Sequence, residues 1–177
     1  QPVVRSLPMH LRRLVPSDAC AFRALRQRCL AEERHAFTLT PDEEAALPLA
    51  HTEARLAKDR VTGGVIGAFD ADGSLVAIVG VERETRAKRA HAALIRSVYV
   101  APEARGHRLG ERIVGAALAF AASMPGVECV TLGVVETNRT AARLYERLGF
   151  AVIGREPDYL RVDGQSLAHL LLMRPLP

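Results

Sequence analysis

The chain has no tryptophan and few aromatic residues of any kind, three tyrosines and five phenylalanines in 177 residues. That leaves little to stack on unpaired bases. No nucleic-acid recognition motif accompanies the mildly basic net charge of +4, so nucleic acid is not an expected partner. Cysteine is equally scarce. Cys20, Cys29 and Cys129 are too scattered for a disulfide framework or a zinc site, and no metal is expected. Their odd number suits a reducing compartment, hence a cytoplasmic location, and all three read as small apolar core or half-buried residues. No apolar run is long enough to cross a bilayer and no secretory leader is recognised, so no membrane association is expected. Repeats, linkers and low-complexity tracts are missing too. With 49% hydrophobic and 25% charged residues, positions 1–177 are expected to form one globular domain. Two phosphate-binding signatures are absent as well. There is no G-x-x-x-x-G-K-[ST] and no G-x-G-x-x-G after a strand.

What is present centres on Ser97 to Arg112. An apolar strand, Ser97-Val98-Tyr99-Val100, runs through Ala101-Pro102 into a basic turn, Arg105-Gly106-His107-Arg108-Leu109-Gly110. Leu109, Ile113, Ala116, Ala117 and Phe120 then follow the spacing of a one-sided helix. The first turn of a helix carries unpaired N–H groups and the positive end of the dipole. Glycines let a phosphate approach those groups and arginines neutralise it. The competing reading is a solvated basic surface turn.

The remaining elements read in order. His10 to Leu14 is strand-like, and Pro16-Ser17-Asp18 gives a break and a cap for a helix over Ala19–Glu33. Thr40-Pro41-Asp42-Glu43 is a capping box, and the next helix ends at Pro48. The acids of Asp42-Glu43-Glu44 suit a helix start, attraction of a cationic acceptor being the other reading. A short helix over Thr52–Lys58 follows. Val65–Asp70 and Leu75–Glu84 form a hairpin over Asp72-Gly73. Ala90–Val100 is the next strand, with Arg83, Arg86, Lys88 and Arg89 as a solvated hairpin tip. Strand, helix and strand from Val98 to Val135 make one right-handed crossover, which predicts a parallel pair. An extended segment runs from Phe150 to Val162, and Ser166–Met173 is the last strand.

Beyond Val130–Val135 comes Asn138-Arg139-Thr140-Ala141-Ala142-Arg143-Leu144-Tyr145, ahead of Leu148-Gly149-Phe150. With the basic turn, this resembles the GNAT superfamily of acyl-CoA-dependent N-acyltransferases, over roughly residues 8 to 175 and sharply within 94–150. The first signature of that family, Q/R-x-x-G-x-G/A, reads here Arg105, Gly106, His107, Arg108, Leu109, Gly110. Arg108 stands where the family usually has its middle glycine. The second signature is intact at Asn138, Ala141 and Tyr145. The resemblance implies an α/β (α+β) fold. Its sheet would be mixed, mostly antiparallel, of about seven strands with a splayed parallel pair, flanked by about four helices.

The resemblance also implies a chemistry, transfer of an acetyl group from acetyl-CoA to a primary amine of a small molecule or protein, without an acyl-enzyme. Backbone groups of Val98, Tyr99 and Val100 would bind the pantetheine arm as an extra strand, the Val98 N–H meeting the acyl oxygen. Backbone N–H groups of His107, Arg108, Leu109 and Gly110, beside Gly106, would take the pyrophosphate, with charge from Arg105 and Arg108. Asn138 would bond the arm, Ala141 would leave it room, and Tyr145 would protonate the leaving thiolate. From spacing alone Tyr145 is a core aromatic. No carboxylate lies in Ala92 to Ser97, so the base is unassigned, with Glu82, His91 or a water as possibilities. A non-catalytic CoA-binding sensor is the alternative function, and a homodimer is left open.

Overall fold

A computed structural model describes residues 9–177. Seven strands form one sheet: β1 (His10–Arg13), β2 (Gly63–Phe69), β3 (Leu75–Arg83), β4 (Ala92–Val100), β5 (Cys129–Val135), β6 (Ala151–Val162) and β7 (Gln165–Pro175). They lie in the order β1-β2-β3-β4-β5-β7-β6, and every neighbouring pair is antiparallel except β4 with β5. The helices are α1 (Ala19–Glu32), α2 (Pro41–Ala46), α3 (Leu49–Leu56), α4 (Leu109–Ala122) and α5 (Arg139–Arg147), five rather than about four. The short helix expected over Thr52–Lys58 is α3, and it starts earlier, directly after Pro48. That proline ends α2 in extended backbone and is itself the N-cap of α3, since proline donates no N–H but suits a helix start.

The strands β2 and β3 are apolar almost without alternation, because helices cover both sheet faces. A Cβ on Gly64 would meet Phe120 of α4 at 3.3 Å, and one on Gly80 would meet Arg55 of α3 at 3.2 Å. Gly64 pairs with Val81, the neighbour of Gly80, so the two glycines look to opposite faces and α3 and α4 lie on opposite sides. The core joins Phe22 and Leu25 of α1, Leu56 of α3, Ile113, Val114 and Ala117 of α4 and the inner strands. The crossover from β4 through α4 to β5 is present as expected. The extended segment after Phe150 is a full strand, paired along β7 with two register shifts. It forms one edge of the sheet and has no buried residue on either face, so no buried face imposes alternation on its sequence.

Three local expectations change. Asp18 does not cap α1 with its side chain. Its carboxylate is taken by the guanidinium of Arg12 at 2.7 and 2.8 Å and by the Val15 N–H at 2.9 Å, in a 3-10 turn over Pro16–Asp18. Cys20 is exposed, one residue off the buried stripe of α1, whereas Cys29 is buried and its thiol is pushed up to about 12 by that burial. The capping box at Thr40 and Glu43 forms, but Glu44 turns inward to Arg26. Among the described residues no helix is long and apolar enough to cross a membrane.

Candidate functional site

The site begins where the two parallel strands part. β4 and β5 share three pairs, Ala92 with Cys129, Ala93 with Val130 and Leu94 with Thr131, and none further on. On its other side β4 stays with β3, but the register skips. Arg96 pairs with Gly80 and Tyr99 with Ile78, so Ser97 and Val98 together face Val79. Ser97 sits in left-handed backbone, with φ +57°. An extra residue in one strand bends that strand, and here the β5-facing side of Val98–Val100 has no strand partner among the described residues.

Two cavities meet in this gap, of about 570 and 350 Å³. Ala36, Phe37, Val98, Asn138 and Ala141 line both. The larger runs under the basic turn. Gly106 and Arg108 are both left-handed there, at φ +91° and +55°. The arginine thus keeps the backbone a glycine would adopt, at a cost on the order of 1 kcal/mol. Its side chain is 84% exposed and meets Glu111 at 3.5 Å. The first helical bond of α4 runs from the Arg112 N–H to the Arg108 carbonyl at 3.0 Å. The N–H groups of Leu109, Gly110 and Glu111, all in the cavity wall, precede it and have no helical acceptor.

On the far wall, Asn138 caps α5, its side-chain oxygen accepting from the Ala141 N–H at 3.2 Å. One turn beyond Ala141, Tyr145 is 6% exposed and packs edge-on against Phe150 with ring centroids 6.0 Å apart. It lines the smaller cavity. Among the described residues nothing hydrogen-bonds its hydroxyl, which is not sealed from that cavity. Burial holds its pKa well above the usual phenol value, so the proton stays on oxygen.

The sequence profile of the Acetyltransferase (GNAT) family matches residues 21–150. The chain belongs to that family. A mycothiol acetyltransferase from Salinispora tropica is 39% identical over 92 residues, 47% of this chain and 30% of that protein, so the chain spans about a third of this curated relative. Among solved structures, a GNAT-family acetyltransferase from Streptococcus pneumoniae superposes with a TM-score of 0.86 at 20% identity, over 96% of this chain and 100% of that one. A GNAT phosphinothricin acetyltransferase from Sinorhizobium meliloti, solved with AcCoA, gives 0.80 at 19% identity, over 95% and 88%. At those identities the structures share the fold.

Against the GNAT pattern, most expected residues come together. Val98, Tyr99, Val100, Arg105, Gly106, Arg108, Leu109, Gly110, Asn138 and Ala141 all line the larger cavity, while His107 is exposed and outside its wall. The Tyr99 hydroxyl is already engaged, donating to Glu32 on α1 at 2.5 Å. Arg105 is held by Glu33 at 2.8 Å and by the Val100 carbonyl at 2.9 Å, so much of its charge is already matched. Gly110 has a packing reason: a Cβ there would come 3.3 Å from a Leu144 methyl, so the glycine lets α4 and α5 close.

Neither named base is in place. Glu82 is bound by Lys58 at 2.9 Å and by Arg96, and His91 lies at the opposite end of β4. Neither lines either cavity. The residue that does is His169 of β7, which no local motif marks. Its ring stacks on Tyr159 of β6 at 3.9 Å. It also lies over Gly133 of β5, where a Cβ would fall 2.0 Å from the ring. Burial lowers its pKa from 6.5, while Glu156 opposes that, so the imidazole is neutral at pH 7. A glycine in the middle of an apolar strand is the trace this packing leaves in the sequence. Also missed were Arg26, Arg55 and Arg96, which line the smaller cavity.

Proposed function

We propose that the chain transfers an acetyl group from acetyl-CoA directly to a primary amine, in the cytoplasm. The observation that carries this reading is the unpaired side of Val98–Val100, with the larger cavity and a helix start on one side and Tyr145 with His169 on the other. An extended pantetheine arm can pair with that free edge as an added strand would. Its phosphates would meet the N–H groups of Leu109, Gly110 and Glu111, where the helix dipole favours an anion.

The chemistry follows from this layout. The amine lone pair attacks the thioester carbon, and the oxygen that gains charge accepts from the Val98 N–H. Collapse of that adduct breaks the C–S bond, and the electron pair leaves on sulfur. Tyr145, fixed as a neutral donor, hydrogen-bonds the departing thiolate. The attacking nitrogen loses a proton to His169, directly or through a water, and the thiolate takes the proton of Tyr145, which is restored from solvent as His169 releases its own, so the sum is an amide and a free thiol. His169 lines the smaller cavity and is neutral at pH 7, which suits a base. A CoA-binding sensor would need neither a free tyrosine hydroxyl nor a neutral histidine beyond the cofactor groove. Calorimetry with acetyl-CoA and with acetyl-pantetheine tests the site. Acetyl-CoA should bind at least tenfold more tightly, and equal affinities would overturn the assignment of the phosphate turn.

A further inference from the structure

The smaller cavity has an electrostatic bias that acetyl transfer alone does not require. Three arginines line it, Arg26, Arg55 and Arg96, and among the described residues no aspartate or glutamate does. Two of the three are partly matched. Arg26, 5% exposed, has Glu44 at 3.7 Å, beyond hydrogen-bond reach, and its buried Nε has no hydrogen-bond partner. Arg96 meets Glu82. Arg55 has no carboxylate partner among the described residues. Its guanidinium lies over the Phe22 ring at 5.1 Å and donates to Ser97 Oγ at 3.2 Å. Burial, together with repulsion from Arg26 and Arg96 and against the weaker attraction of Glu44, pushes its pKa down to about 10, still a cation at neutral pH.

Arg55 is half-buried and shares the field of Glu44 with Arg26, so positive charge in this cavity stays in excess, and proteins keep such groups where a ligand supplies the missing charge. Arg55 is also well placed for that ligand, since Ser97, which it touches, is the chain neighbour of Val98, beside which the acyl carbon would sit. Resting on the acetyl-transfer reading above, we infer that the acceptor is a small amino acid-like molecule: a primary amine with a carboxylate near it, the carboxylate held by Arg55 with help from Arg26 and Arg96. The volume, about 350 Å³, is at the low end for small-molecule sites. The positive lining opposes polyamines, aminoglycoside-like cations and lysine-rich peptides, which would bring like charge into a cavity holding three guanidinium groups.

The test uses the full chain and two matched panels. One holds the standard amino acids; the other holds the amines left when each loses its carboxylate. Thiol release from acetyl-CoA is followed for both, with acetyl-CoA binding measured separately by calorimetry. At least one amino acid should be turned over, with its carboxylate-free partner at least tenfold poorer in kcat/KM, the scale of one charge-assisted pair. Arg55→Gln should raise KM for that amino acid about tenfold or more, change kcat less, leave acetyl-CoA affinity alone and erase the preference over the partner amine. Equal turnover of both panels, preferred turnover of a polyamine or peptide, or binding of acetyl-CoA with no amino acid acetylated would each overturn the inference while leaving the cofactor site standing. Failure to bind acetyl-CoA at all would overturn the reading beneath it. The wild-type comparison decides the matter even if the Arg55 variant does not fold.

Discussion

Changing Tyr145 to phenylalanine separates two roles that the residue holds at once. The ring is a core element, 6% exposed and edge-on to Phe150. That contact is worth on the order of 1 kcal/mol and is unaffected by loss of the hydroxyl. The hydroxyl itself has no protein partner among the described residues. Removing it therefore breaks no hydrogen bond and relieves a polar group in a largely apolar setting. Tyr145→Phe should be as stable as the wild type or up to about 1 kcal/mol more so, raising Tm by roughly 0 to 4 °C for a chain of this size. Turnover should move the other way. A general acid contributes on the order of 10²-fold, and thiolate is a tolerable leaving group, so kcat should fall by roughly tenfold to a hundredfold, about 1.4 to 2.7 kcal/mol of barrier. Acetyl-CoA affinity should change less than about twofold, because the proposed site draws its affinity from the phosphate turn and the β4 edge. The assay is steady-state rate against acetyl-CoA at saturating acceptor, beside a thermal melt and calorimetry of both proteins. Wild-type kcat in a folded variant would leave Tyr145 as a packing residue only. A drop of many degrees in Tm would mean that the hydroxyl has a structural partner.

Three further outcomes follow from the same geometry. His169 gains its proton only below pH 6.5, because burial lowers its pKa, so kcat/KM should be flat at neutral pH and fall on an acid limb below 6.5; His169→Gln should lower kcat at least tenfold and abolish that limb, and a limb that persists would assign the base elsewhere. Gly110→Glu puts bulk against Leu144 and an anion at the phosphate turn, so acetyl-CoA should bind tenfold or more weakly, about 1.4 kcal/mol, and unchanged binding in a folded variant would move the phosphates away from α4. Gly115 lies inside α4 with open space where its Cβ would be, so Gly115→Ala should stabilise by about 1 kcal/mol and raise Tm by roughly 2–4 °C without altering turnover.

Much of the fold was legible because the elements punctuate themselves. Thr40-Pro41 with Glu43, Asp72-Gly73, and the strand–turn–helix from Ser97 to Ala122 each carry a local signal that the structure follows. The parallel pair was legible from the length of the crossover. The Ser97 bulge was not, since any residue can be the extra one in a strand and nothing in Arg96-Ser97-Val98 marks it. Yet that bulge parts β4 from β5 and gives the larger cavity its place. The proposed cofactor side of the site lies in one continuous stretch, 97–112, plus one helix, so its residues could be named. The acceptor side is assembled from α1, α3, the loop around Phe37 and the far hairpin. Arg55 and His169 are 114 positions apart in the chain (169 − 55) and share a cavity only after the sheet forms. Arg108 shows the reverse lesson. A departure from the usual glycine looked like a gap in the motif, and the backbone takes the left-handed conformation anyway.

The most direct test of acetyl transfer through this gap is a two-substrate initial-rate study, varying acetyl-CoA and an accepted amine together, with the product identified by mass spectrometry. Direct attack in a ternary complex predicts intersecting reciprocal plots, thiol release that depends on the amine, and one acetyl group on the amine per thiol released. Parallel plots with a burst of acetylated protein, the pattern of a covalent intermediate, or thiol release indifferent to the amine would contradict it.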